Sequence, residues 1–148
     1  MINYILLSEK EEGLLQAALL KRISNVNVHT LEYKGGLKMC AFIQMFFETG
    51  ISLIITTGNL ADNITLLDET DFFDEKSKYK LQEGVEMKVS PLDSFEEIIG
   101  RKLINVEGIQ KPDEEYYWQL DFVFETGTLH VEALIDEINY SLVQKAVE

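Results

Sequence analysis

The chain has one cysteine, Cys40, among 148 residues. No intramolecular disulfide can form, so the fold must rest on packing alone. Cys40 lies in the apolar run MCAFI and reads as a small core residue. Histidine is almost as scarce, with only His29 and His130. A metal site needs three or four gathered His, Cys or carboxylate ligands. The nearest approach is His130 with Glu132, which share one face of a strand, and two ligands do not make a site. No metal and no cofactor are expected.

Long apolar runs are missing too. No stretch nears the roughly 18 apolar residues that span a bilayer. The opening MINYILLSEK has no basic residue ahead of its short apolar run, so it does not read as a signal peptide. A soluble, cytoplasmic protein is expected. Positive charge is scarce as well. Lys and Arg total 13 against 26 Asp and Glu, a net charge of −13. Acids outnumber bases in both halves of the chain. Such a charge repels phosphate, which argues against nucleic acid and anionic membranes as partners. It favours fast encounter with a basic protein.

Catalytic signatures are also absent. Gly35-Gly36 is followed by no glycine or Lys-Ser/Thr that would make a phosphate loop, and no GxSxG elbow occurs. The acidic DETDFFDE lacks the turn glycine of a calcium loop. Asp121, between Leu120 and Phe122, is the carboxylate that most looks buried, but strand alternation sets it on a polar face. No residue set builds a nucleophile with its base, so the chain is not expected to be an enzyme.

What is present is a globular composition, 46% hydrophobic and 10% aromatic. Ser8 and Glu11 form a capping box, and Leu14, Leu15, Ala18, Leu19 and Ile23 follow at helical spacing. This pattern predicts a helix over 9–22. VNVHTLEY then reads as a strand ending at Gly35-Gly36, and strands follow over 38–48, 51–57 and 63–67. In the second half, Phe95, Ile98 and Ile99 can share a helical face capped by Gly100. RKLINVEG, YYWQLDFVFETG and TLHVEA then read as strands. A last strand or a helix closes the chain, and a strand beginning near Glu137 is preferred because Asp136-Glu137-Ile138 takes the place of Asp62-Asn63-Ile64.

The phrase FETG occurs twice, at 47–50 and at 124–127. Lys21-Arg22-Ile23 with Asn25-Val26 also matches Arg101-Lys102-Leu103 with Asn105-Val106. The order of elements is the same in both halves. The expected fold is therefore α+β, with two tandem copies of a helix-plus-antiparallel-meander unit packed together. Each copy carries an FETG hairpin. The copies span 1–75 and 92–148 within one compact globule. Segment 76–91 connects them and reads as a possible hairpin, because Tyr79, Leu81, Val85, Met87 and Val89 alternate around Gln82-Glu83-Gly84.

Two details of the repeat need an explanation. Aligned on the glycine, the return strands Ile51–Ile55 and Leu129–Ala133 are out of phase by one residue, so their turns must differ in length or one strand must carry a bulge. The strand over 38–48 is also apolar on both faces, with Ile43, Met45 and Phe47 on one and Phe42 and Phe46 on the other. It must be covered twice, by a helix and by either the second copy or another chain. A homodimer through Phe42 and Phe46 is one way to do so.

Two surface patches fit protein recognition, since both set aromatics among charges. The first is Asp68, Glu69, Asp71, Asp74 and Glu75 around Phe72-Phe73. The second is Asp113, Glu114 and Glu115 beside Tyr116-Tyr117-Trp118, with Tyr117 as its candidate anchor. The phrases IIGRKLINVEG and FVFETGTLHVEALIDEI are similar to helix–Gly–strand and hairpin–Asp-Glu-Ile patterns of small bacterial domains. With the charge and the α+β pattern, the chain resembles the small acidic immunity proteins of bacterial toxin–immunity systems. The resemblance implies a non-enzymatic inhibitor that neutralises a basic toxin, such as a nuclease, by stoichiometric binding. It implies no particular site residues. Two other readings stand beside it. One is an anti-defence protein that mimics nucleic-acid charge. The other is a small enzyme or ligand-binding module with a pocket between the repeats.

Overall fold

The computed structural model describes residues 7–58, 63–80, 82–91, 96–110, 112–114, 116–134 and 137–144. The chain is α+β and mostly strands. In order, the elements are α1 (Glu9–Ala18), β1 (Ile23–Tyr33), β2 (Lys38–Phe47), β3 (Ser52–Thr57), β4 (Ile64–Leu67) and α2 (Glu69–Lys80). They continue with β5 (Val85–Pro91), β6 (Leu103–Gln110), β7 (Tyr117–Phe124), β8 (Gly127–Leu134) and β9 (Glu137–Gln144). Two antiparallel sheets result, with strand orders β4-β3-β2-β1-β5 and β6-β7-β8-β9.

The capping box at Ser8 and Glu11 starts α1 as its sequence predicts. The helix ends at Ala18, four residues short of the predicted end. The reason lies in the residues that follow. Leu20 takes φ 65°, and its N–H donates to the Leu103 carbonyl at 2.8 Å. Leu103 N–H donates to Lys21 O at 3.0 Å, Ile23 N–H to Arg101 O at 3.0 Å and Gly100 N–H to Ile23 O at 2.7 Å. Around the Arg22–Lys102 bridge, the chain thus trades helical hydrogen bonds for a seam that joins the two sheets.

The two sheets pack face to face. Val28, Ile43, Met45 and Leu53 of the first meet Leu120, Phe122, Leu129 and Val131 of the second in one buried cluster. The space between the sheets is filled with apolar side chains. On the outer face of the first sheet, Leu31, Phe42, Ile54 and Leu67 form another cluster with Phe72 of α2. The Phe42 ring meets those of Phe72 and Tyr79 edge-on, at 5.0 and 5.9 Å between centroids. Phe42 is only 1% exposed. Its own α2 covers it, so it offers no surface to a second chain. Phe46 is half-buried.

Segment 76–91 does not form a hairpin. Its first part completes α2, and β5 pairs antiparallel with β1, from Asn27–Pro91 to Tyr33–Val85. The alternation from Val85 to Val89 belongs to this added edge strand. Tyr79 lies on α2 and joins Val85 and Met87 against the outer cluster. A boundary after residue 75 falls inside α2. Of the helix predicted near Gly100, Phe95 lies outside the described residues, and 96–100 form turns that end at Gly100 with φ 81°.

The phase difference between the FETG segments comes from turn length. In the first, Phe46 pairs with Ser52, Phe47 N–H donates to Ile51 O at 2.9 Å, and Gly50 takes φ 84°. In the second, Phe124 pairs directly with Gly127 across Glu125-Thr126, so Gly127 is already a strand residue. The two glycines are needed for different reasons. Gly50 supplies positive φ, with open space around it. A Cβ on Gly127 would sit 2.7 Å from the Val143 carbonyl oxygen of β9. Gly50→Ala is expected to cost about 1 kcal/mol. Gly127→Ala is expected to cost more, because β9 must move; urea denaturation of both variants checks the order.

His29 is 2% exposed beneath α2. Its Nε2–H donates to Gln44 Oε1 at 3.0 Å, and its Nδ1 has no partner among the described residues. Burial holds its pKa below the usual histidine value, Lys76 adds to the effect, and the Gln44 bond opposes it. The folded state therefore binds its proton less readily than the unfolded chain. This contribution to stability is complete above about pH 6.5 and falls as pH drops toward the folded-state pKa. The expected slope in that window is about 1.4 kcal/mol per pH unit. Urea midpoints of wild type and His29→Gln between pH 7 and 5 should converge on acidification. Parallel curves would contradict the assignment.

Candidate functional site

The outer face of the second sheet differs from that of the first. Among the described residues, no helix lies over it. Strand register fixes which side chains share it. One row across the sheet is Glu107, Asp121, His130 and Ser141. The next is Ile109, Gln119, Glu132 and Asn139. A third is Asn105, Val123, Thr128 and Val143. None of these positions holds a lysine or an arginine, while Glu107, Asp121 and Glu132 are acids.

Asp121 organises the middle of the face. It is 9% exposed, and its Oδ1 accepts from Gln119 Nε2 and from His130 Nδ1, each at 2.7 Å. The alternation that puts Asp121 on the polar side holds, yet its neighbours bury it there. Beside it a hollow of about 280 Å³ is lined by Gln119, His130, Glu132, Asn139, Tyr140 and Ser141. A second hollow, about 470 Å³, shares His130 and is more apolar, with Ile104, Val123 and Val143 in its walls. Ile104 and Val143 are 49% and 55% exposed. Together the two hollows give an open acidic face with apolar ground beside it.

The acids expected at the first patch are mostly engaged within the chain. Asp68 caps α2, its Oδ1 accepting from Asp71 N–H at 2.8 Å. That bond, opposed by burial and helped by Lys10, holds its carboxyl below the usual range. Lys10 of α1 reaches Asp71 at 2.6 Å and Asp68 at 3.1 Å, which ties the two helices together. Glu69 accepts from the Ser52 hydroxyl at 2.9 Å, and Glu75 pairs with Lys78 at 2.9 Å. Asp74 and Phe73 remain exposed. Three of the five acids thus have a lysine partner, two of them the same Lys10, so two lysines balance the five acids only in part.

The second patch separates. Asp113 and Glu114 are exposed, Asp113 with φ 63°. The Glu114 carbonyl accepts from Gln110 Nε2 at 2.6 Å. Glu115 lies outside the described residues. Tyr117 cannot be a surface anchor. It is 3% exposed, and its ring occupies the space that a side chain on Gly108 would need. Trp118 is half-buried.

Burial first, and Glu137 second, push the Cys40 thiol up to about 12, far from a reactive thiolate. Among the described residues no three His, Cys, Asp or Glu are gathered to hold a metal ion. No described helix is long and apolar enough to cross a membrane. No family model matches the chain, and neither a curated protein nor a solved structure matches it.

Of the face itself, Asp121, His130 and Glu132 were within reach of strand alternation. So was Gln119, two residues before Asp121 on the same strand, but Glu107, Asn139 and Ser141 were not, because only register brings four strands into rows.

Proposed function

We propose that the chain is a non-enzymatic binding protein that docks a basic protein on the open face of its second sheet. The observation that supports this is the set of cross-strand rows with three acids and no cation, bordered by exposed Ile104 and Val143. Electrostatic complementarity would speed encounter, and the apolar ground would slow release. A stoichiometric inhibitor fits best, an immunity protein that covers the working surface of a toxin. A nuclease toxin suits this surface because a nucleic-acid site is basic. The packed interior between the sheets favours binding over a module with a pocket between copies.

We also propose that the two sheets are tandem copies of one four-stranded meander. Both first strands carry a register shift at the same place, between Ile23 and Asn25 and between Leu103 and Asn105. Phe47 and Phe124 face those two starting residues. The copies meet where Arg22 bridges Lys102, its counterpart in the repeat. On this reading α2 and β5 are an insertion that covers one sheet and leaves the other open for a partner.

The test is capture by the tagged chain from the lysate and secreted fraction of its own cells, at low and high salt. Calorimetry with the purified partner then follows. One basic protein, bound one to one and released by salt, is expected. Recovery of an acidic protein, of the chain alone or of nothing overturns the proposal.

A further inference from the structure

We infer that the hollow beside Asp121 receives an arginine side chain of the partner. The inference rests on the docking reading above and names the group that would anchor it. A carboxylate only accepts hydrogen bonds. Asp121 therefore draws one Gln119 Nε2 hydrogen and the His130 Nδ1–H toward itself, both on the same Oδ1 at 2.7 Å. Gln119 keeps its Oε1 acceptor and one N–H. Glu132, Asn139 and Ser141 lie in the same wall. With Asp121 behind it and Glu132 in its wall, the hollow suits a group with several donors and a positive charge.

Guanidinium is that group. It carries five N–H donors in a planar fork and is less strongly hydrated than an ammonium, so it gives up water more easily at a half-buried site. At about 280 Å³ the hollow has room for several waters of about 30 Å³ each, and so for a planar side-chain head in their place. The shared His130 places the apolar hollow next to it, where methylenes of the same arginine can rest. A divalent metal is the competing occupant, since His130 and Glu132 could supply two ligands.

The ¹⁵N-labelled chain is titrated with N-acetyl-arginine amide, with N-acetyl-lysine amide and with zinc chloride, and read by NMR at the Gln119 and Asn139 side-chain amides and the His130 ring. The arginine amide should give saturable shifts in the millimolar range, and the lysine amide should bind at least about fivefold more weakly. Glu132→Gln should weaken the arginine response about tenfold. Equal response to lysine, no saturable shift with arginine, or zinc binding that excludes arginine overturns the inference. A chain that binds a basic protein but ignores arginine amide keeps the proposed function and loses this anchor. A chain that takes arginine amide but has no basic protein partner keeps the anchor and loses the proposed function.

Discussion

Phe42→Ala is expected to destabilise the chain by about 3–5 kcal/mol, the usual cost of deleting a buried ring. Phe42 is 1% exposed and holds Phe72 and Tyr79 of α2 against the first sheet. Domains of this size have about 5–15 kcal/mol in total, so the variant should unfold early in urea, and α2 should be the first element to lose protection from hydrogen exchange. A cost below about 1 kcal/mol would show that α2 does not depend on this face. Partner binding, which we propose for the other sheet, should survive wherever the variant remains folded.

Reversing charge on the open face should have the largest effect on binding. Glu107→Lys with Glu132→Lys replaces two of the three acids in the rows with cations. The expected loss is on the order of a hundredfold in affinity for the basic partner, most of it from slower association. Wild-type affinity should fall as salt rises, and the double variant should lose most of that dependence. Stability should change by less than about 1 kcal/mol, because both positions face solvent at least in part. Asp74→Lys on α2 should leave affinity unchanged. If it weakens binding as much as the double variant does, the partner contacts α2 instead.

Local pattern carried the strands, and contacts distant in sequence decided what it could not. Alternation around FETG located β2, β3, β7 and β8, because hairpin strands are set by neighbours in sequence. It also exposed a difference in turn length, since an offset of one residue reverses a strand's faces. The end of α1 was hidden because residues 20–23 are claimed by residues 100–103, a partner eighty positions away. α2 was hidden because its acids outnumber its apolar residues. Phe72 and Tyr79, seven apart on one helical face, were its signal, but Tyr79 also fits the alternation of β5. The acid count pointed to Asp68 through Glu75, whereas Lys10 comes from another helix to engage two of them. The open face needed the register of four strands, which no single segment contains.

Carboxyl footprinting of the purified complex by mass spectrometry tests the central claim most directly, because every acid in dispute can be labelled. Protection of Glu107 and Glu132 on partner binding, with Asp74, Asp113 and Glu114 labelled as in the free chain, is the predicted result. Protection of Asp74, Asp113 or Glu114 with Glu107 and Glu132 unchanged would contradict it.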